Sequence, residues 1–202
     1  MPILKKAFWD KSGLIKRDYK TFVETGSYRG FMIENVIEEY DSIHSIELSI
    51  KWYAYCVFKL QHHQHVKFHL GDSRNILPLV LEDIHEPAVI FLDAHYSGGS
   101  TARGDTDTPL LDELEIVRGR AYDDIIIIDD TLFLGKKGGA EPTRPITDDD
   151  VWPSFQYDWK ETTEDKILKK MKENYRAFSN QNLTMTKQAR EDQYIWYPHL
   201  TP

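Results

Sequence analysis

The sequence predicts a doubly wound α/β fold, in which helices cover both faces of a mostly parallel sheet. Short apolar runs alternate along the chain with longer segments that have helical periodicity. Several of the short runs are continuous Val, Ile and Leu, which strands buried on both faces of a parallel sheet require. A glycine-containing turn, TFVETGSYRG over 21–30, directly follows the first run, as in nucleotide-binding α/β proteins.

Five apolar runs predict the parallel strands: TFVET at 21–25, SIHSIEL at 42–48, VKFHLGD at 66–72, AVIFLDA at 88–94 and DIIIIDD at 124–130. The periodic segments between them predict helices over 31–40, 50–60, 73–85 and 108–118. A further helix is predicted over 163–175. Two β-like parts follow, one around 176–178 with 183–186 and the other over 193–197, and they predict an antiparallel hairpin at the end of the sheet.

The length of 202 residues favours one domain over 1–202. Residues 1–20 mix charged and aromatic groups without strong periodicity and are expected to form a lead-in segment. The segment 131–160 contains clusters of Gly and Pro, so it is predicted to be a long connection that acts as a lid or substrate loop.

Composition favours a soluble cytoplasmic protein. There is a single cysteine, Cys56, and no apolar stretch approaches the ~20 residues that span a bilayer. The N-terminus does not resemble a secretory signal, and no membrane partner is expected. The net charge of -8 argues against a nucleic-acid partner, because the lysines over 166–172 are explained as the solvated face of a helix.

The spacing of the glycines in the first turn indicates the kind of cofactor. A dinucleotide loop has the pattern G-x-G-x-x-G, whereas here Gly26 is followed by Ser27 and Tyr28, with no second glycine until Gly30. The loop therefore suits a ligand without phosphate, such as S-adenosylmethionine. The candidate cofactor contacts in and before this turn are Glu24, Thr25, Gly26, Ser27, Tyr28 and Gly30.

Acidic residues stand at the ends of all five predicted strands. In an open parallel sheet the ligand lies over these ends. Glu47 follows Gly26 by 21 residues, close to the ~20 at which an acid accepts hydrogen bonds from ribose hydroxyls. Glu47 is therefore the candidate ribose acceptor, and the alternative is a solvated acid at a strand end.

This ordered series of motifs resembles the class I S-adenosylmethionine-dependent methyltransferases over 21–130. The resemblance implies that VETGSYRG wraps the methionine part of the cofactor and that Glu47 holds the ribose. It also implies that Asp72 and Ser73 lie near the adenine.

Within that superfamily, FLDAHYSGG followed by IIIIDD resembles the metal-dependent sugar O-methyltransferases of the macrocin O-methyltransferase type. This narrower resemblance implies that Asp93, Asp129 and Asp130 bind Mg²⁺. Three converging carboxylates would repel one another unless a cation neutralised them. The alternative is that Asp129 and Asp130 begin a loop or a helix.

His95 stands where that family has its second acid. We therefore expect His95, together with Asp93, to be catalytic, with the imidazole accepting the proton of the methyl acceptor. The alternative is a histidine that hydrogen-bonds the backbone. The polar loop YSGGSTARGDTDTP over 96–109 is expected to close over the acceptor. The aromatic residues over 152–159 suit either substrate stacking or a packed aromatic patch.

These features predict methyl transfer from S-adenosylmethionine to a hydroxyl of a polar small molecule, such as a sugar or glycoside. An adenosyl-cofactor-binding module without transferase activity is one alternative. A nicotinamide-dependent oxidoreductase is the other, and the missing middle glycine disfavours it. The sequence does not fix the oligomeric state.

Overall fold

A computed structural model of the chain describes residues 19–140, 154–171, 175–179 and 194–198. The strands in these ranges are β1 (Thr21–Thr25), β2 (Ser42–Glu47), β3 (Val66–Leu70), β4 (Ala88–Leu92), β5 (Ile125–Ile128), β6 (Lys137–Ala140), β7 (Phe155–Asp158), β8 (Tyr175–Ser179) and β9 (Tyr194–Pro198). The helices are α1 (Phe31–Val36), α2 (Ile50–Leu60), α3 (Ser73–Glu82), α4 (Leu110–Arg118) and α5 (Glu164–Lys170).

Seven of these strands form one sheet in the order β3-β2-β1-β4-β5-β9-β8. Strands β1 to β5 are parallel, and the strand order reverses between β1 and β4. Strand β9 pairs antiparallel with β5, and β8 pairs antiparallel with β9. The predicted fold class is therefore confirmed, including the C-terminal antiparallel hairpin. The β-like part expected over 183–186 lies outside the described residues.

Two apolar layers lie on opposite faces of the sheet, as a doubly wound fold requires. On one face, residues of α1 and α2 such as Ile33 and Leu60 pack against Phe22 and Ile43. The layer on the other face joins α3, α4 and α5 to the sheet. Full burial of each such side chain stabilises the fold by roughly 1.5–3 kcal/mol.

Polar residues that follow the strands begin the next helices. The Ser49 side chain accepts a hydrogen bond from the amide nitrogen of Trp52 at the start of α2. Asp72 does the same for Arg74 at the start of α3, and Thr163 for Lys166 at the start of α5. Because these caps occupy free amide groups of the first turn, they fix where each helix begins.

The segment 131–160 contains more regular structure than the sequence predicts, so the expectation of an irregular connection is wrong where the chain is described. A 3₁₀ turn covers Thr131–Phe133, and β6 pairs antiparallel with β7 in a separate two-stranded sheet. The glycines of β6 give no strand signal, and its partner lies well along the chain. Most of the predicted lead-in and the middle of the predicted lid, residues 141–153, lie outside the described residues.

In the described ranges, the helices are all too short or too polar to cross a membrane.

Candidate active site

The loop after β1 lies directly against the backbone at the end of β4. Gly26 has a φ of 86°, and a Cβ at this position would lie 2.4 Å from the carbonyl oxygen of Asp93. The Gly26 amide donates a 2.8 Å hydrogen bond to the carbonyl oxygen of Ile46 in β2. Glycine is therefore required here for two reasons, the left-handed backbone and the close approach. The loop is fixed across three strand ends at the switch in strand order.

Glu47 ties the end of β2 to this loop. Its side chain is 5% exposed. One carboxylate oxygen accepts a 2.8 Å hydrogen bond from the Tyr28 amide, and the other accepts a 2.7 Å bond from the Ser49 amide. Burial raises the pKa of Glu47, although these backbone bonds oppose the shift. The Leu48 amide also acts on this carboxylate as a hydrogen-bond donor. Since a carboxylate has about four acceptor positions, Glu47 can still accept from a ribose.

Glu24 is a second buried carboxyl beneath the loop. The Ser45 hydroxyl donates a 2.6 Å hydrogen bond to it, and the hydroxyls of Ser45 and Ser27 are also in contact. Burial raises the pKa of Glu24 well above its ordinary value, and the nearby charges of Asp93 and Glu47 add to the shift. The protonated form is thus favoured for this group.

On the predicted adenine side, Asp72 is held by Arg74. The Asp72 carboxylate caps α3 and lies 2.7 Å from an Arg74 guanidinium nitrogen. Hydrogen bonding by Arg74 lowers the pKa of Asp72, so this acid stays ionised. The adjacent Ser73 is buried. Asp72 and Ser73 therefore form a fixed edge at the end of β3.

The loop 96–109 is anchored at both the cofactor side and the far side of the site. The Trp52 indole donates a 2.8 Å hydrogen bond to the Ser100 carbonyl oxygen, and Arg74 pairs with Asp105 at 3.0 Å. The buried Asp107 accepts a 2.7 Å bond from the Asp158 amide in β7. The loop is thus attached to the walls predicted for the cofactor as well as to the two-stranded sheet.

His95 lies between two aspartates at the ends of β4 and β5. Its Nδ1 is 3.1 Å from Asp93 Oδ1, and its Nε2 is 2.6 Å from Asp130 Oδ2. Burial by itself lowers the pKa of His95, but Asp130 and Asp93 together raise it well above the usual value. The two carboxylates therefore favour the protonated form of the ring, against the effect of burial. Its charged partners are carboxylates, whereas the alternative in the sequence analysis gave it a backbone partner.

The structure does not support the predicted magnesium site. Among the residues described, no group of three or more His, Cys, Asp or Glu side chains is placed to hold a metal ion. The ring of His95 separates Asp93 from Asp130, and the buried Asp129 is attached through its amide to the Leu92 carbonyl oxygen at 3.2 Å. Asp130 comes directly before the 3₁₀ turn and has a φ of 52°. This position agrees with the alternative that Asp129 and Asp130 begin a loop.

An aromatic patch covers His95 from the side of the two-stranded sheet. Trp159, immediately after β7, is 2% exposed and meets the His95 ring edge-on at 5.4 Å between centroids. Phe133 contacts Trp159 at 5.7 Å and Tyr157 at 4.5 Å. The packed-patch interpretation therefore fits Trp159. No pattern in the sequence predicts that this patch packs against His95.

One buried acid near the site was not predicted from the sequence. Glu113, in the first turn of α4, is 1% exposed, and its Oε1 has no hydrogen-bond partner. Burial raises its pKa to about 7, although the hydroxyls of Ser73 and Thr25 oppose the shift. A signal was available, because Glu113 falls three residues after Leu110 and four before Val117, on the apolar face of the helix.

No family model and no curated protein sequence matches this chain. Solved structures do match it. One is the O-methyltransferase TomG from Streptomyces achromogenes, involved in tomaymycin synthesis, in complex with S-adenosylmethionine, with 12% identity and a TM-score of 0.58 over 95% of this chain and 77% of that one.

Two further structures have different acceptors. CalS10 from Micromonospora echinaspora, an amino pentose methyltransferase involved in calicheamicin biosynthesis, has 13% identity and a TM-score of 0.54 over 94% of this chain and 87% of its own. An rRNA methylase from Streptococcus thermophilus has 11% identity and a TM-score of 0.53 over 99% and 98%. These likenesses show that the chain has the Rossmann-like fold of S-adenosylmethionine-dependent methyltransferases.

Replacing Gly26 by alanine should destabilise the protein by about 2 kcal/mol or more, because the new methyl group meets the Asp93 backbone and the φ is left-handed. Urea unfolding measures the change. Gly104→Ala is the matched control, since a Cβ there has no neighbour closer than 3.7 Å. Equal unfolding midpoints for the two variants would contradict the close approach.

Glu113→Gln should change the pH dependence of stability. The Glu113 pKa rises from 4.5 to about 7 on folding, so the folded chain holds a proton that the unfolded chain releases, and stability falls between these pH values. The loss is about 3 kcal/mol at pH 8. The glutamine amide does not titrate in this range. The free energy of unfolding of the variant should therefore rise relative to that of wild type from pH 5 to 8. Parallel curves in chemical denaturation would refute the shift.

Proposed function

We propose that this protein transfers a methyl group from S-adenosylmethionine to a hydroxyl of a polar small molecule. The observation that carries the proposal is the loop after β1, which runs flush over the Asp93 backbone and has the buried carboxyls of Glu24 and Glu47 beneath and beside it. The Glu47 carboxylate, which two backbone amides hold, is the negative group that attracts the sulfonium and ammonium of S-adenosylmethionine here.

The same charges argue against the nicotinamide alternative. A pyrophosphate placed on this loop would approach the buried carboxylate of Glu47. Bringing further negative charge into a buried acidic site is unfavourable. The loop also lacks the middle glycine of the dinucleotide pattern.

In the proposed complex, the loop residues Gly26, Ser27, Tyr28 and Gly30 surround the methionine part of the cofactor. Glu24 and Thr25 support the loop from β1. Glu47 accepts from the ribose hydroxyls, and the fixed edge of Asp72 and Ser73 lies beside the adenine. Support for these roles comes from the burial of the acids and from their place at the carboxyl ends of β1, β2 and β3.

Methyl transfer requires the acceptor oxygen to attack the methyl carbon while the bond from carbon to sulfur breaks. The electron pair of that bond stays on sulfur, and the hydroxyl proton passes to a base. Because Asp93 and Asp130 favour the protonated ring of His95, we propose that the oxygens of these two carboxylates accept the hydroxyl proton. We propose that His95 and Asp93 act as one proton-holding unit, in place of a free imidazole base.

The proposed reaction does not depend on Mg²⁺, because His95 lies between Asp93 and Asp130, two of the three carboxylates that were expected to bind it. A molecule with several hydroxyls, such as a sugar or glycoside, remains the proposed acceptor. The fold neighbour that is an amino pentose methyltransferase supports that choice.

RNA is a weaker candidate acceptor, although an rRNA methylase shares the fold. The net charge is -8. On α5, Lys166 pairs with Glu161 at 3.0 Å and Lys170 with Glu115 at 2.7 Å, which reduces the positive charge of the lysine cluster.

We further propose a single domain over 1–202, and the cytoplasm remains the predicted location.

Calorimetric titration with S-adenosylmethionine and, separately, with NAD⁺ tests the cofactor. We expect micromolar binding of S-adenosylmethionine only, and at least a tenfold loss in Glu47→Ala because a ribose acceptor and a loop contact are removed together. The exposed Glu38→Ala is the control. Absence of S-adenosylmethionine binding by the wild type would overturn the proposed function.

His95→Asn should separate catalysis from binding. We expect S-adenosylmethionine affinity within threefold of wild type and transfer to the best acceptor in a glycoside panel at least 100-fold slower. The solvent-exposed His85→Asn serves as the control. Each assay is run with and without a chelator to test whether the reaction uses a metal. A wild-type rate in His95→Asn would show that His95 has no part in the transfer step.

A further inference from the structure

Aromatic side chains occupy alternate positions along β7 and just beyond it. Phe155, Tyr157 and Trp159 are two residues apart, so their side chains project to the same side of the strand. Phe133, from the 3₁₀ turn after β5, contacts all of these rings, with 4.5 to 6.3 Å between centroids. Tyr96 extends the group and meets Phe155 edge-on at 5.9 Å. We call the half-buried members of this group, Tyr96, Phe133, Phe155 and Tyr157, the aromatic wall.

Glycines border the aromatic wall where larger residues would cover it. Gly138 of β6 lies directly opposite Tyr157, and a Cβ there would come within 3.4 Å of the Tyr157 hydroxyl oxygen. Residues directly opposite in an antiparallel pair project to the same face, so the missing side chain leaves Tyr157 uncovered from the side of β6. Gly98, in the loop 96–109, has a φ of 82°, and a Cβ there would lie 2.6 Å from that of Phe155. The loop and β6 thus frame the rings of Phe155 and Tyr157 without burying them fully.

The aromatic wall is continuous with the group proposed to accept the proton. Trp159 lies behind the wall, in contact with Phe133 at 5.7 Å and with the His95 ring at 5.4 Å. The Phe133 amide donates a 3.1 Å hydrogen bond to the Asp130 carbonyl oxygen, which fixes the wall to the residue that holds His95. The Asp130 side chain is 30% exposed, so a hydroxyl can reach its carboxylate. A molecule whose hydroxyl meets Asp130 therefore lies beside the wall.

The chemistry of the aromatic wall favours an apolar ring over a bare sugar. Charged side chains next to it already pair with one another, Arg103 with Asp107 at 2.6 Å and Lys137 with Asp158 at 2.7 Å. The Arg103 guanidinium also lies over the Tyr96 ring at 5.1 Å. A sugar seated on the wall would lose water from its hydroxyls without gaining these groups as partners, which is unfavourable. An aromatic ring has no such loss, and it can pack edge-on or offset, as the rings of the wall do with one another.

We infer that the aromatic wall binds an aromatic ring of the methyl acceptor, and that the acceptor is an aryl glycoside. A sugar hydroxyl meets the Asp130 carboxylate, which accepts hydrogen bonds, while the aglycone ring packs against Tyr157 and Phe155. These two residues then determine which acceptor binds, without touching the reacting atoms. The inference rests on the proposed function for the reaction itself. It narrows the acceptor from molecules with several hydroxyls to those that also carry an aromatic ring.

The test uses pairs of glycosides that share one sugar and differ only in the aglycone, which is phenyl or methyl. Affinities for the cofactor-free chain are measured by NMR titration over a panel of common hexoses. In the pair that binds best to the wild type, we expect the phenyl glycoside to bind at least tenfold more tightly than the methyl glycoside. Equal affinities, or no binding of any phenyl glycoside, would overturn the inference.

Gly138→Val and Gly139→Val test whether the phenyl ring lies on the wall. Valine at 138 projects beside Tyr157 and should cover it. Valine at 139 projects to the other face of β6, where the nearest atom is the amide end of the exposed Gln156 side chain. We expect Gly138→Val to reduce the phenyl preference below threefold and Gly139→Val to keep it. An unchanged preference in Gly138→Val would place the ring elsewhere and refute the role of the wall.

Tyr157→Ala should also reduce the phenyl preference below threefold, whereas Tyr157→Phe, which keeps the ring, should retain it. Phe58→Ala removes a ring that is 75% exposed on α2 and is the control for nonspecific ring binding. If Gly138→Val does not fold, the pair of Tyr157 variants decides by the same criterion. The titrations need no cofactor, so failure of the wild type to bind S-adenosylmethionine would sink the proposed function, whereas the phenyl preference would still decide the role of the aromatic wall.

Discussion

The close approach of the Gly26 loop to the end of β4 is the contact on which the site depends. Because Gly26 has no side chain, the loop lies on the Asp93 carbonyl group and still donates to Ile46 in β2. That contact brings the ends of β1, β2 and β4 within reach of one small ligand. The acids at those ends share a site for this reason, although they are far apart in the sequence.

Carboxylates gathered at one edge of a sheet repel one another, and three features of the chain reduce this repulsion. Burial favours the protonated form of Glu24. Backbone amide groups hold Glu47, and the ring of His95, whose protonated form the two acids favour, lies between Asp93 and Asp130. A site in which histidine supplies the positive charge differs chemically from one in which a divalent cation does, even where the strand-end acids are alike.

The two-stranded sheet and the loop 96–109 complete the far side of the site. Asp107 joins them through the Asp158 amide, and Trp159 seats against the His95 ring. These contacts shield the His95 side chain, which is 6% exposed, while the Asp130 side chain stays 30% exposed. The shielding strengthens the charge interactions of His95. These contacts also make the side proposed for the acceptor more aromatic than the polar sequence of the loop suggested.

The sequence alone determined the fold class, and it predicted that the site lies at the carboxyl ends of the strands. Unbroken apolar runs such as IIIIDD specify buried parallel strands, and α2 is found at the bounds predicted for it, because local periodicity and capping decide both. Only the tertiary structure decided what the acids do. Three features depend on which distant segments of the chain meet. They are the position of His95 between Asp93 and Asp130, the pairing of β6 with β7, and the burial of Glu113 near Thr25 and Ser73. No pattern within one segment encodes those distances, so only packing sets them.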